Sequence, residues 1–299
     1  MDGVDISSWV ETISREVEEE YLLAAKEAYQ KLSGPVFQDD KSYEPRMGLF
    51  LEWFVLYYQL PNSGKVPLRD FLENKREELD NNEVSDLETM THSLHGIFQV
   101  THLSDRHTRV HELFEDKEFR VNKTEADFFF SKNDLFEGNL FSLLDDSLFP
   151  MRDDNAFTGN FVYHPPAVFK FIRAKVKDVR TIEKESTSKL KIRQKELDRI
   201  EKKSQTSERL LSKIKNKIEK SRKPEKREKL EQEYREKERE LNGIREELKK
   251  VESEIASFKA NEMGFELRTR RFELMQHLSY MSLKWERSRQ IDINDIYND

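Results

Sequence analysis

Two heptad-patterned stretches flank a single proline, Pro224, and this arrangement limits the possible folds more than any other feature of the 299-residue chain. Counting a seam from Val176 to Ile218, eight of thirteen positions are Val, Leu or Ile; counting from Leu230 to Phe265, nine of eleven are apolar or Tyr. Both runs hold a coiled-coil register. Inside a continuous helix Pro224 would remove a hydrogen bond and clash with the preceding turn, at a cost of ~3 kcal/mol. The pattern therefore predicts an antiparallel hairpin turning at Pro224 rather than one rod. Such a turn pairs residues whose numbers sum to 448, and the two seams then meet: Ile218 with Leu230, Ile214 with Tyr234, Ile200 with Leu248, Leu197 with Val251, Leu190 with Phe258. Leu211, Leu241, Ile244 and Ile255 complete the predicted seam. An arm of about 40 residues would reach about 60 Å at 1.5 Å per residue.

The seam has polar positions as well. Glu183, Ser186, Arg193, Ser204, Ser207, Lys237 and Glu262 fall on it, with Arg193 opposite Ile255. Small polar groups there either fix the register or leave a groove for a third helix or a second hairpin.

Charge divides the chain in the same place. The whole sequence has a net charge of −7, yet residues 173–262 hold 29 Lys and Arg against 20 Asp and Glu, leaving −16 for the remainder. The lopsided part is the turn, where Lys213, Lys215, Lys217, Lys220, Arg222, Lys223, Lys226, Arg227 and Lys229 stand against three glutamates. A basic tip of this kind suits a phosphate backbone, an anionic lipid surface or an acidic protein patch. The plainer reading is a solvated ribbon using Lys and Glu as helix formers and for pairs four residues apart. No aromatic residue is interleaved at the tip, which argues against base stacking.

Outside the hairpin the pattern predicts an α+β body: a helical region over 1–93, a small antiparallel β-module, barrel-like or a curled sheet, over 94–166, then the hairpin over 167–265 and a C-terminal helix over 266–299 packing back on the body. Ser8 to Glu11 reads as a capping box opening one helix that Ser33-Gly34-Pro35 stops. A second helix, from about Glu44 to Tyr58, is apolar on nearly every face, which makes it central. Pro67 opens a third and Val84–Met90 a fourth. From about residue 95 the period shortens to two, giving strands around Ile97–Leu103, Val110–Leu113, Phe119–Val121, Phe128–Phe130, Leu140–Leu144 and Phe157–Tyr163, with polar turns at 104–106 and 115–117.

The absence of cysteine excludes disulfides and thiolate chemistry. An acidic start without an apolar core carries no signal peptide, and the longest apolar run, 48–58, is about half the ~20 residues a membrane span needs. A soluble, cytoplasmic protein is expected. Five of the seven histidines (His92, His95, His102, His107, His111) cluster in sequence, but residues four apart on a strand lie about 13 Å apart, so no metal site is predicted. The carboxylate pairs Asp145/Asp146 and Asp153/Asp154 are ordinary in so acidic a chain. The aromatic set Phe128, Phe129, Phe130, Phe136, Phe141 and Phe149 reads as core sooner than as a ligand pocket. No phosphate-cradling or nucleophile-elbow motif is present, and no cofactor is expected.

Phe50-Leu51-Glu52-Trp53-Phe54 with Pro61 to Leu68, the stretch Phe161 to Pro165 and the tail Leu283 to Gln290 together resemble a group of uncharacterised soluble bacterial proteins with a helical front, a small β-module and a helical tail. That resemblance implies bacterial origin and no known activity, with the hairpin as a departure from the pattern. The expectation for function is a non-enzymatic interaction or scaffold protein whose hairpin engages a protein partner or a second copy. The alternative is a nucleic-acid- or ribosome-associated factor contacting phosphates through the tip.

Overall fold

A computed structural model describes residues 5–122, 130–142, 155–259, 267–288 and 290–297. The chain forms two compact units, one from Met1–Asp178 with Phe272–Asp299 and one from Val179–Arg271.

The first unit opens with α1 (Ile6–Glu16) and α2 (Glu19–Ser33), where the sequence pattern predicts one helix. The break lies at Val17, which is extended, and the acidic run Glu18-Glu19-Glu20 then sits at the start of α2, where the positive end of the helix dipole favours it. The cap also differs from expectation. Asp5 rather than Ser8 is the N-cap, its carboxylate accepting from Ser8 N at 3.0 Å. Gly34 ends α2 with φ +75°, a conformation that suits glycine.

Three more helices follow: α3 (Tyr43–Tyr57), α4 (Pro67–Lys75) and α5 (Asn81–Met90). An Asp80/Glu83 capping box, not read from the sequence, opens α5. Leu49, Phe50, Phe54 and Val55 of α3 are buried, and the helix packs into a core with Ile13, Ala25, Tyr29, Leu68 and Leu87 from its neighbours. α3 is central because only a helix apolar on most faces is covered from several sides.

Six strands make the β-module: β1 (Ser93–Leu103), β2 (His107–Glu112), β3 (Lys117–Asn122), β4 (Leu135–Ser142), β5 (Asn155–Phe157) and β6 (Val162–His164). β1, β2, β3, β5 and β4 follow one another around the sheet, and β4 also pairs with β1, so five strands close into a small barrel. β5 and β6 use the same edge of β4 in turn, β5 at Leu140–Ser142 and β6 at Leu135–Glu137. Alternation along the strands points Phe98, Val100, Val110, Phe119, Val121, Phe136 and Leu140 into one cluster, joined by Phe157 and Phe161. Phe130 stacks on Phe136 at 5.0 Å between ring centroids. Of the sequence candidates, Phe128, Phe129, Phe149, both aspartate pairs, Glu262 and Phe265 lie outside the described residues.

A 3-10 turn at Pro166–Val168 leads into α6 (Phe169–Lys220), and the chain returns as α7 (Pro224–Phe258). Lys223 is extended, as the residue before a proline tends to be, and Pro224 takes the first helical position, where its missing N–H costs nothing. Within the second unit, Glu208 pairs with Arg245 at 2.8 Å and Arg193 approaches Glu254 at 3.8 Å. Numbers rise along α6 as they fall along α7, so the arms run antiparallel. The last elements, α8 (Leu267–Arg287) and the short α9 (Ile293–Tyr297), bring Phe272 against Trp53, Tyr57 and His95, and bury Tyr297.

Candidate functional site

The predicted seam residues divide by burial. Leu197, Ile200, Leu211, Ile214, Leu241, Val251 and Ile255 are buried, while Leu190, Ile218, Leu230, Tyr234, Ile244, Leu248 and Phe258 are half-buried. Leu197, Ile200, Val251 and Ile255 form one cluster with Leu190, Ile244 and Leu248 around it. Arg193 departs from its expected seam position: its side chain is 51% exposed and bonds Glu196 at 2.9 Å. Enclosing a guanidinium in a two-helix seam costs several kcal/mol, so the head group reaches the rim and its acids instead. Glu183, also placed on the seam by the heptad count, holds Arg271 through both carboxylate oxygens, at 2.5 and 2.9 Å.

At the turn, all nine basic side chains from Lys213 to Lys229 are exposed. Arg227 bonds Glu231 at 3.0 Å, and among the described residues no ion pair holds the other eight. The tip is thus a cluster of solvated cations at the end of a narrow element.

The first unit contains a polar network that motif reading missed. Glu52 lies on α3 with 1% exposure, and its carboxylate accepts from Asn139 Nδ2 of β4 at 2.5 Å and from Asn160 Nδ2 at 2.6 Å. Burial raises its pKa, against the hydrogen bonds from Thr158, Asn160 and Asn139 that lower it. Gly48, one turn before Glu52, has no room for a Cβ, which would lie 2.3 Å from Asn160 Oδ1. Glycine there lets α3 approach the loop that carries Asn160.

Beside Glu52, His95 Nε2 and Glu137 Oε1 are 2.8 Å apart, both residues buried. Strand alternation places Glu137 and Asn139 on the same face of β4, directed towards the helices. Arg46, 4% exposed, donates to Ser42 Oγ, to Ser279 O and Oγ, and to Ser282 Oγ. His164 Nδ1 meets the Tyr297 hydroxyl at 3.2 Å, and burial drops the His164 pKa to about 4, so its ring is neutral near pH 7. The sequence signal for this network was a single glutamate inside the near-apolar run 48–58.

The other histidines are dispersed. His92 lies 3.1 Å from Glu88 O, His111 bonds Asp116 at 3.1 Å, and the His102 and His107 rings are 6.3 Å apart. Among the described residues no three His, Asp or Glu side chains come together as a metal site would require. No described helix is long and apolar enough to cross a membrane.

A cleft of about 520 Å³ lies next to Arg46, lined from the start of α3 by Lys41, Ser42 and Pro45, from β6 by Val162 and Tyr163, and from α8 by Ser282, Trp285 and Glu286. Its floor is bonded within the protein: Glu286 accepts from Ser42 N at 3.1 Å and from Ser42 Oγ at 2.5 Å.

A model of a family of unknown function, DUF7986, matches residues 9–207. The chain belongs to DUF7986. The DUF7986 match takes in the helical front, the barrel, Glu52, the His95–Glu137 pair and Arg46, and it continues into α6, so the first arm of the hairpin falls within the family pattern up to residue 207. The basic tip, α7 and the Trp285 wall of the cleft lie beyond the DUF7986 match. No curated protein and no solved structure matches the chain.

Proposed function

We propose that this DUF7986 chain is a non-enzymatic interaction protein whose coiled-coil hairpin is the element that engages a protein partner or a second copy. The observation that carries this reading is the tip: nine exposed cations, eight of them in no ion pair among the described residues, on a two-helix element whose described buried side chains lie along one seam. Cations held in solvent at the end of an arm are available to an acidic surface, and a potential of this kind speeds encounter and selects against like-charged partners. Two of the ionisable groups shifted by burial, Glu52 and His164, are tied to Asn139, Asn160 and Tyr297 inside the first unit, as structural polar groups are.

The same solvated cations favour a second reading, contact with nucleic-acid phosphates. Two measurements on the full chain separate the readings. In sedimentation at low salt, self-association or binding to an acidic partner that is lost when Lys220, Arg222, Lys223, Lys226 and Arg227 are changed to Glu supports the first. Anisotropy of labelled RNA and DNA showing affinity that falls steeply with salt, and is lost in the same variant, supports the second. Failure of the charge-reversed variant to change any association overturns both.

A further inference from the structure

The cleft bounded by α3, β6 and α8 has properties that do not depend on what the hairpin binds. Its volume, about 520 Å³, is within the range of small-molecule sites, roughly 300–1,000 Å³. Two large aromatic side chains on its walls are left open to solvent, Trp285 on α8 at 42% exposure and Tyr163 on β6 at 44%, with buried Phe161 between β5 and β6 behind them. Rings of the core are covered, Phe50, Phe54, Phe98 and Phe136 each being 3% exposed or less, and Phe37 at 56% is the other open ring among the described residues of this unit. Two half-open rings on one concave surface leave flat apolar area for a planar guest.

Hydrogen-bonding capacity decides the sign of that guest. The Glu286 carboxylate is taken up by both Ser42 donors and lies 4.0 Å from Arg46, whose own donors go to serines of α8 and to Ser42. The acid and the guanidinium offset one another inside the wall. What remains on the lining, among the described residues, is the exposed Lys41 ammonium, in no ion pair, with the Trp285 indole N–H and the Tyr163 hydroxyl in no hydrogen bond. All three are hydrogen-bond donors. Burial and the charge of Asp134 push the Tyr163 phenol up to about 12, so it stays a donor over the physiological range.

We infer that this cleft binds a flat aromatic anion, with the ring against Trp285 and Tyr163 and the negative group on Lys41. A cationic aromatic would meet the Lys41 ammonium while the lining carboxylate, Glu286, is already engaged by Ser42 and Arg46, and an aliphatic anion would leave both rings uncovered.

The test is calorimetric titration of the full chain with 2-naphthoate, with 2-naphthyltrimethylammonium and with hexanoate in parallel. The expected result is saturable one-to-one binding of 2-naphthoate at low millimolar concentration or below, with the other two at least roughly tenfold weaker. Lys41→Glu is expected to weaken 2-naphthoate by roughly tenfold or more, and Trp285→Ala and Tyr163→Ala each by a similar factor. Lys41 is exposed and unpaired, so its variant tests the site without threatening the fold; far-UV circular dichroism and thermal melting establish that the aromatic variants are folded. Absence of saturable 2-naphthoate binding overturns the inference, as does equal or tighter binding of the ammonium compound. Unchanged affinity in Lys41→Glu together with Trp285→Ala also overturns it, since binding would then lie elsewhere.

Discussion

Asn160, in the loop between β5 and β6, donates a 2.6 Å hydrogen bond from Nδ2 to the carboxylate of Glu52, 108 residues earlier on α3. With Asn139 on the other carboxylate oxygen, this ties the helical front to the barrel through a buried acid. Glu52→Ala would strand the buried amide donor of Asn139 and the half-buried one of Asn160, a buried donor costing about 1–3 kcal/mol when left without a partner. The expected loss is about 3 kcal/mol in urea unfolding of the first unit, with Glu52→Gln costing less because it keeps one acceptor. A loss below about 0.5 kcal/mol for Glu52→Ala would show that the network contributes no stability.

Gly48 offers an independent probe of the same contact. A methyl group there would meet Asn160 at 2.3 to 2.5 Å, so Gly48→Ala must displace Asn160 from Glu52. Alanine's better helix propensity, about 1 kcal/mol, works in the opposite direction, and the expected net loss is about 1–2 kcal/mol. In a double-mutant cycle, Gly48→Ala should cost less, or stabilise, once Asn160 is already alanine. Simple additivity of the two changes would contradict the steric account.

Acid should weaken the first unit through His164. Its folded pKa is about 4 against an ordinary 6.5, lowered by burial, with Glu137 raising it and Arg46 lowering it further. Between those values the unfolded chain holds more protons than the folded one, so stability falls as pH drops from about 6.5 towards 4, by about 3 kcal/mol in total. Glu52 acts in the opposite sense: its raised pKa means the folded state holds the proton more tightly, so acidification through that window favours folding. Asp40 lies outside the window, because its hydrogen bond from Arg287 lowers its pKa and its contribution fades only below the ordinary carboxylate range. His164→Gln should flatten the pH dependence of the unfolding free energy between pH 6.5 and 4; an unchanged slope would assign it to other groups.

In the hairpin, burial rather than heptad position should set the cost of substitution. Ile200, 4% exposed, is expected to cost about 2–4 kcal/mol as alanine. Arg193 sits on the same predicted seam but is half exposed, and Arg193→Ala should cost no more than about 1 kcal/mol. Amide hydrogen exchange along α6 and α7 reads both without requiring the two units to unfold together.

Much of the architecture was legible from local signals. Pro224 and two heptad runs placed α6 and α7, the change of period near residue 95 placed β1 to β3, and Pro67 and Gly34 marked helix ends. These signals act over a few residues, through backbone sterics and the side on which an apolar side chain falls. Even there, competition between local preferences was decided by context: Asp5 took the cap that Ser8 also matched, and Val17 broke a run whose apolar spacing continued through it.

The polar groups were not legible, because whether a charge is buried depends on what arrives to satisfy it. Glu52 is an acid in a hydrophobic helix until Asn139 and Asn160 come to it from 87 and 108 residues away. Arg46 needs the serines of α8, His164 needs Tyr297, and the cleft exists only where the start of α3, β6 and the end of α8 meet. Periodicity decided which residues turn inward. Long-range packing alone decided which charges could follow them, since a buried ionised group persists only where distant partners replace its water.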